Sequence, residues 1–167
     1  MAPRTLSPRF EIRASAIQGL GAFALRRIKA GARLIEYQGE RISAAEAVRR
    51  YADDRRATTH VVLFTVNEDT FIDAGVGGND AQYFNHSCAP NCEAVLEAGR
   101  IYIEALRTVE PGEELTYDYQ LAHPEPFDPD AAQRYACHCG ASNCRGTLLE
   151  PRASVRPKSV RRSSRRS

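Results

Sequence analysis

The chain has 167 residues, of which 43% are hydrophobic, and a formal net charge of +2 at pH 7. This length suits one domain with its own core. The first residues, MAPRTLSPRF, are polar, and no apolar run approaches the roughly 18 residues of a membrane span, so we expect no signal peptide, no membrane partner and a soluble protein inside a cell.

Most of the chain has the pattern of short β-strands. Alternating, β-branched or aromatic runs of this kind are typical of strands that bury one face. They occur at residues 9–15, 32–40 and 60–66.

Turn residues then predict how later strands connect. The segment NEDT should turn the strand at 60–66 into a hairpin with FIDA, and Ala98-Gly99 should turn a second hairpin over residues 92–106. Pro111-Gly112 marks a turn before a last strand. The predicted fold class is therefore mostly β.

One helix is predicted, following Ser43. Ser43 and Glu46 have capping-box spacing, in which the hydroxyl accepts from a free backbone N–H and the glutamate reaches back. The helix should run for about three turns over residues 44–54.

All five cysteines lie in two clusters, FNHSCAPNC at 84–92 and CHCGASNC at 137–144. The second cluster supplies three thiols, at Cys137, Cys139 and Cys144, whereas a structural zinc ion takes four ligands. The fourth should come from Cys88 or Cys92. Free buried thiols, or one disulfide within the first cluster, are the alternative, and His138 is less favoured as a ligand because it points away from its neighbours in an extended segment.

The last 17 residues, 151–167, hold seven of the 23 basic side chains and no acidic one. The preceding 150 residues therefore carry 16 basic and 21 acidic side chains, a net charge of −5. The tail has too few apolar residues to fold, which predicts either a solvated disordered end or an arm that contacts nucleic acid or another polyanion.

Five motifs occur in order along the chain. They are GLGAFA at 19–24, EYQGE at 36–40, IDAGVGGNDAQYFNHSCAPNC at 72–92, GEELTYDY at 112–119 and CHCGASNCRGTL at 137–148. Together they resemble SET-domain protein lysine methyltransferases that carry a zinc-binding post-SET segment, and the resemblance extends over roughly residues 10–149.

The resemblance implies a fold of several small β-sheets with few short helices. The NHSC segment would thread under the segment containing GEELTYDY in a pseudoknot-like arrangement. One zinc ion would be held by Cys88, Cys137, Cys139 and Cys144, which leaves Cys92 as a small buried residue. The implied domains are a SET domain at 10–120, a post-SET segment at 121–150 and the basic tail at 151–167.

The implied cofactor is S-adenosylmethionine. The glycine loop would approach it by backbone, the Asn-His pair would hydrogen-bond it, and two post-SET residues would contact it. The matching positions are Gly19, Leu20, Gly21, Asn85, His86, His138 and Leu148.

Two tyrosines match the catalytic positions of the family. Tyr119 corresponds to the catalytic tyrosine, and Tyr117 to a position that influences how many methyl groups are added, where tyrosine suggests one or two. Val62 stands where many members carry an active-site tyrosine, which places one hydroxyl of the lysine channel in doubt.

The expected activity is S-adenosylmethionine-dependent methylation of lysine in a basic protein, such as a histone or a nucleoid protein. The compact, Arg- and Ala-rich chain suggests a bacterial protein of the cytoplasm, or one exported into a host cell. The alternatives are a degenerate SET module that only binds zinc and a partner, and a nucleic-acid-associated protein acting through its tail.

Overall fold

The structure, a computed structural model, describes residues 8–51, 62–123 and 127–152. This part of the chain is mostly β, as predicted, and contains short strands, few helices and no large sheet. The strands are β1 (Phe10–Ala14), β2 (Leu20–Ala24), β3 (Arg33–Glu36), β4 (Glu40–Ser43), β5 (Leu63–Thr65), β6 (Thr70–Asp73), β7 (Asn85–His86), β8 (Cys92–Glu97), β9 (Arg100–Ala105) and β10 (Glu114–Tyr117). The helices are α1 (Ala44–Tyr51) and α2 (Ala131–Arg134), and a 3-10 turn covers Asp80–Tyr83.

The strands form three small sheets. The first has the order β1-β2-β10-β7, the second β3-β9-β8 and the third β4-β6-β5. The hairpins predicted at NEDT and at Ala98-Gly99 are confirmed as β5–β6 and β8–β9. Ala98 and Gly99 have φ of 48° and 75°, the left-handed conformation that a two-residue hairpin turn requires.

The single strand predicted over residues 32–40 is wrong. Strand β3 ends at Glu36, and the chain continues into β4, which begins at Glu40 and belongs to a different sheet. Gly39 makes this crossing possible, because a Cβ there would lie 2.4 Å from the carbonyl oxygen of Asp73. Alternation of apolar and polar residues indicates an extended segment, but it does not show where that segment leaves one sheet and joins another.

Helix α1 begins as predicted after Ser43, whose hydroxyl accepts from the backbone N–H of Glu46 at 3.2 Å. The Glu46 carboxylate does not complete the capping box, since it instead bonds Arg49 at 2.6 Å and Arg50 at 2.6 Å. The end predicted for this helix, 52–54, lies outside the described residues. The four-residue α2 was not predicted.

The NHSC segment packs beside the segment of GEELTYDY, as the family resemblance implied. Strand β7 runs parallel to β10, with Asn85 opposite Thr116. The side chain of Asn91 donates to the Glu114 carbonyl at 2.8 Å and accepts from the Thr116 N–H at 2.9 Å. A buried side-chain amide thus adds bonds to the β10 backbone beside its pairing with β7.

The main core lies between the first two sheets and includes Phe84, Ile103, Val109 and Leu115, each fully buried. A separate small cluster joins Leu148 to the cysteines Cys88 and Cys137. The post-SET segment therefore has an apolar contact with the body besides its cysteines. Within the described residues, no helix has the length and apolar character needed to cross a membrane.

Candidate active site

The four cysteines assigned to the metal lie together. The Sγ atoms of Cys88, Cys137, Cys139 and Cys144 all lie within 4.8 Å of one another. Cys88 Sγ is 3.9 Å from that of Cys137 and 4.0 Å from that of Cys144, close to the about 3.8 Å that tetrahedral thiolates 2.3 Å from zinc would show. The group could hold a metal ion, and these separations are too long for a disulfide.

Backbone amides point at the sulfur atoms. The N–H of Arg145 donates to Cys88 at 3.3 Å, and that of Gly146 to Cys144 at 3.3 Å. Burial alone would raise the pKa of the Cys139 thiol, but hydrogen bonds from backbone N–H groups and from the Cys137 and Cys144 thiols together outweigh burial and lower the pKa to about 6. Such N–H donors favour thiolate, the form in which cysteine binds metal.

Cys92 does not belong to this cluster. It is the first residue of β8, is fully buried in the main core, and has a thiol pKa that burial raises to about 12. His138 is exposed and is not in the metal group either.

Four of the residues assigned to the cofactor line one narrow crevice. Asn85 and His86 reach it from β7, and His138 and Leu148 from the post-SET segment. Its other lining residues are Ile17, Gln18, Tyr119, Ala136 and Cys137. Gly19, Leu20 and Gly21 do not line it, but they directly follow Gln18 in the chain.

The Asn85 side chain anchors the glycine loop. Its amide nitrogen lies 3.2 Å from the Gln18 carbonyl, 3.0 Å from the Leu20 carbonyl and 2.8 Å from a Glu114 carboxylate oxygen. The hydroxyl of Ser15 donates to Glu114 at 2.8 Å. These bonds fix the backbone of the loop from the side that carries Asn85.

The two glycines have different roles in this loop. Gly19 has φ of 44°, a conformation that favours glycine. Gly21 has no such φ, but a Cβ there would lie 2.3 Å from the Glu114 carboxylate. Gly21 therefore leaves room for the carboxylate that holds Asn85.

His86 connects the cysteine cluster to the tyrosines. Its Nδ1 accepts from the backbone N–H of Tyr119 at 3.0 Å, and its Nε2 lies 3.3 Å from Cys88 Sγ. Burial lowers the pKa of His86 to about 4, although Asp118 alone would raise it, so the ring is neutral at pH 7. Asp118 itself accepts two 2.8 Å bonds from Arg145, which ties the tyrosine segment to the post-SET segment.

Tyr117 and Tyr119 lie at the end of a row of aromatic rings. Their centroids are 4.9 Å apart, and Tyr117 stacks on Phe64 at 6.1 Å. The Tyr119 hydroxyl donates to the Phe84 carbonyl at 2.9 Å. Burial raises the pKa of both tyrosines above the ordinary value, so both hydroxyls are protonated at neutral pH.

Both tyrosines line a cleft of about 680 Å³, and Tyr119 also lines the crevice. The walls of the cleft include the edge strands β5 and β8. The lining residues are Leu63, Phe64, Thr65, Pro90, Cys92, Glu93, Ala94, Leu106, Tyr117, Asp118, Tyr119, Gln120, Leu121 and Ala122.

Val62 does not line this cleft, which begins at Leu63 on that strand. Its side chain packs against the cluster that contains Tyr37, and its carbonyl accepts from the Tyr37 hydroxyl at 2.9 Å. Phe64 supplies the ring beside Tyr117.

Sequence reasoning missed several residues that build the site. Glu114 and Asp118 lie inside the motif GEELTYDY, and Arg145 directly follows Cys144, so proximity to assigned residues was the available signal. Gln18 and Ser15 carry no signal of their own, because each acts through hydrogen bonds to distant segments.

The fold and site define a β-rich domain in which a four-cysteine cluster adjoins a tyrosine-lined cleft. Residues 19–120 match the SET domain family, and the chain belongs to that family.

Curated relatives are histone-lysine methyltransferases. The chain is 40% identical over 135 residues to histone-lysine N-methyltransferase 2D of Homo sapiens, covering 78% of this chain and 2% of the relative. It is 42% identical over 141 residues to the H3 lysine-4 specific histone-lysine N-methyltransferase of Saccharomyces cerevisiae, covering 80% and 12%. It is 39% identical over 145 residues to the enzyme of the same name from Schizosaccharomyces pombe, covering 80% and 14%. The chain thus matches only a small part of each relative.

Proposed function

We propose that this protein is an S-adenosylmethionine-dependent protein-lysine N-methyltransferase that acts on a basic, lysine-containing protein. The observation that carries the proposal is the position of Tyr119, which lines both the crevice and the cleft. Methyl transfer needs the methyl donor and the acceptor amine to be held close together and in line. A donor in the crevice and an amine in the cleft would meet beside Tyr119.

The crevice is the side assigned to S-adenosylmethionine, which would supply a methyl group on a positively charged sulfur. The Asn85 side chain holds the backbone carbonyls of Gln18 and Leu20, so the wall that would face the cofactor is preorganised. His138 and Leu148 complete the crevice from the post-SET segment. Asn85, His86 and the glycine loop remain the predicted contacts.

The cleft is the side assigned to the target lysine. Neutral tyrosine hydroxyls give polar oxygen atoms beside aromatic rings. This environment suits an amine that must lose its proton and a methyl group that carries partial positive charge. Because burial raises the pKa of Tyr117 and Tyr119, these hydroxyls orient the amine and do not act as its base.

The cysteine cluster would hold zinc in a structural role. Four thiols at tetrahedral spacing, with backbone donors to sulfur, match that ion. Holding Cys137, Cys139 and Cys144 against Cys88 keeps His138 and Leu148 at the crevice.

The acidic body favours a basic substrate. Residues 1–150 carry a net charge of −5, because the basic tail accounts for seven of the 23 Lys and Arg. Such a field attracts lysine-rich proteins and speeds their encounter. The relatives named as histone-lysine methyltransferases support this class. A histone or a bacterial nucleoid protein fits it, and a bacterial cytoplasmic location is part of the proposal.

Incubation with isotope-labelled S-adenosylmethionine and a panel of basic proteins, followed by mass spectrometry, tests the activity. Wild type should label lysine, and Tyr119→Phe should lower turnover about 100-fold or more, the scale of losing one preorganised polar group. Cofactor affinity should change little. Full activity in Tyr119→Phe would contradict the assigned role, and cofactor binding without labelling of any protein would favour the interaction module.

A further inference from the structure

One wall of the cleft presents the carboxylate of Glu93. Among the residues that the structure describes, only Glu93 and Asp118 are charged residues that line the cleft, and no basic residue does. Asp118 already accepts two 2.8 Å bonds from Arg145. Glu93 is exposed, and among the described residues it has no ion-pair partner.

The neighbours of Glu93 make its uncompensated negative charge unfavourable. In the β8–β9 pair, Glu93 lies directly opposite Glu104, and two like charges in such a pair repel each other. Arg33 bonds Glu104 at 2.7 Å and Glu97 at 2.7 Å. Arg33 therefore compensates the other two carboxylates of this face and leaves Glu93 for a cation from outside.

The shape of the cleft fits an extended chain. Strands β5 and β8 are each at the edge of their sheet, and both contribute to its walls. Glu93 and Tyr119 line the same cleft, so an extended peptide with its lysine beside Tyr119 would place flanking side chains near Glu93.

We propose that Glu93 is a specificity-determining residue that selects substrates with an arginine or lysine within a few residues of the target lysine. This inference rests on the proposed function. The contact is solvent-exposed, so its contribution should be modest, about fivefold in kcat/KM, and should weaken as salt rises.

The test uses three series of short lysine peptides that differ only in having arginine, glutamine or aspartate at each flanking position. Wild type, Glu93→Gln and Glu93→Lys are assayed with each peptide. Glu68→Gln and Glu68→Lys are matched controls, because Glu68 is an exposed glutamate in the β5–β6 turn and does not line the cleft. Melting temperatures confirm that all variants are folded.

Wild type should prefer the arginine peptides about fivefold, Glu93→Gln should lose that preference, and Glu93→Lys should favour peptides with aspartate at the same position. The Glu68 variants should behave as wild type. Equal kcat/KM for arginine and glutamine peptides in wild type, or an arginine preference that survives in Glu93→Gln, would overturn the proposal.

Fluorescence anisotropy of the same peptides separates this inference from the proposed function. If no peptide is methylated but binding prefers arginine and depends on Glu93, the enzymatic function falls and the selectivity stands. If peptides are methylated without dependence on Glu93, the selectivity alone falls.

Discussion

Asn85→Asp tests whether one buried amide organises the cofactor side of the site. The change keeps the shape of the side chain and removes its N–H donors. In the native protein these donors face the carbonyls of Gln18 and Leu20 and the Glu114 carboxylate, at 2.8–3.2 Å. The side chain is 3% exposed, so water cannot replace them.

The amide has two N–H donors for these three acceptors. At about 1 kcal/mol for a bond to a carbonyl and about 2 kcal/mol for the bond to the Glu114 carboxylate, the free energy of unfolding should fall by about 3 kcal/mol. For a domain of this size, each kcal/mol corresponds to roughly 2–4 °C, so the melting temperature should drop by roughly 6–12 °C.

The loss should also depend on pH. Burial and the adjacent Glu114 would raise the pKa of the introduced carboxyl group above its unfolded value of about 3.9. The folded variant then binds the proton more tightly than the unfolded chain. Its charge-related destabilisation is absent below about pH 4, grows as pH rises through the folded pKa, and is complete at higher pH.

Denaturant unfolding and thermal melting at pH 5 and pH 8 measure this effect. Asn67→Asp is the control, because Asn67 is exposed in a turn and only accepts a bond, from the N–H of Asp69, which a carboxylate also accepts. The affinity for S-adenosylmethionine, measured by calorimetry well below the melting temperature, should fall as the loop loosens. A melting temperature equal to wild type at pH 8 would refute this account of the loop.

Two other outcomes follow from the site. We expect elemental analysis to find one zinc ion per chain. Cys139→Ser should lose the zinc and Cys92→Ser should retain it, because only the first variant removes one of the four clustered thiols. Equal zinc content in both variants would rule out the assignment. Tyr117→Phe should keep activity and shift the products toward more methyl groups per lysine, because it removes a hydroxyl from the cleft beside Tyr119. Mass spectrometry of the products measures this shift. An unchanged product distribution would mean that the cleft of the wild type already has room for the additional methyl groups.

The sequence determined the features that depend on nearby residues. The turn at Ala98-Gly99 needs left-handed backbone within two positions, and Ser43 caps the helix that begins at the next residue. The strand content follows likewise from local alternation. Through the family resemblance, the motifs also assigned Asn85, Cys88 and Tyr119 to one site.

Only the tertiary structure decided which distant groups meet. Spacing alone left Cys88 and Cys92 equivalent as the fourth thiol, whereas the fold buries Cys92 in the main core and brings Cys88 to the post-SET cysteines. Arg145 bonds Asp118 across 27 positions of the chain. Glu93 differs from Glu104 in charge compensation only because Arg33 pairs with Glu104. Long-range pairs depend on packing of the whole chain, so no local pattern encodes them.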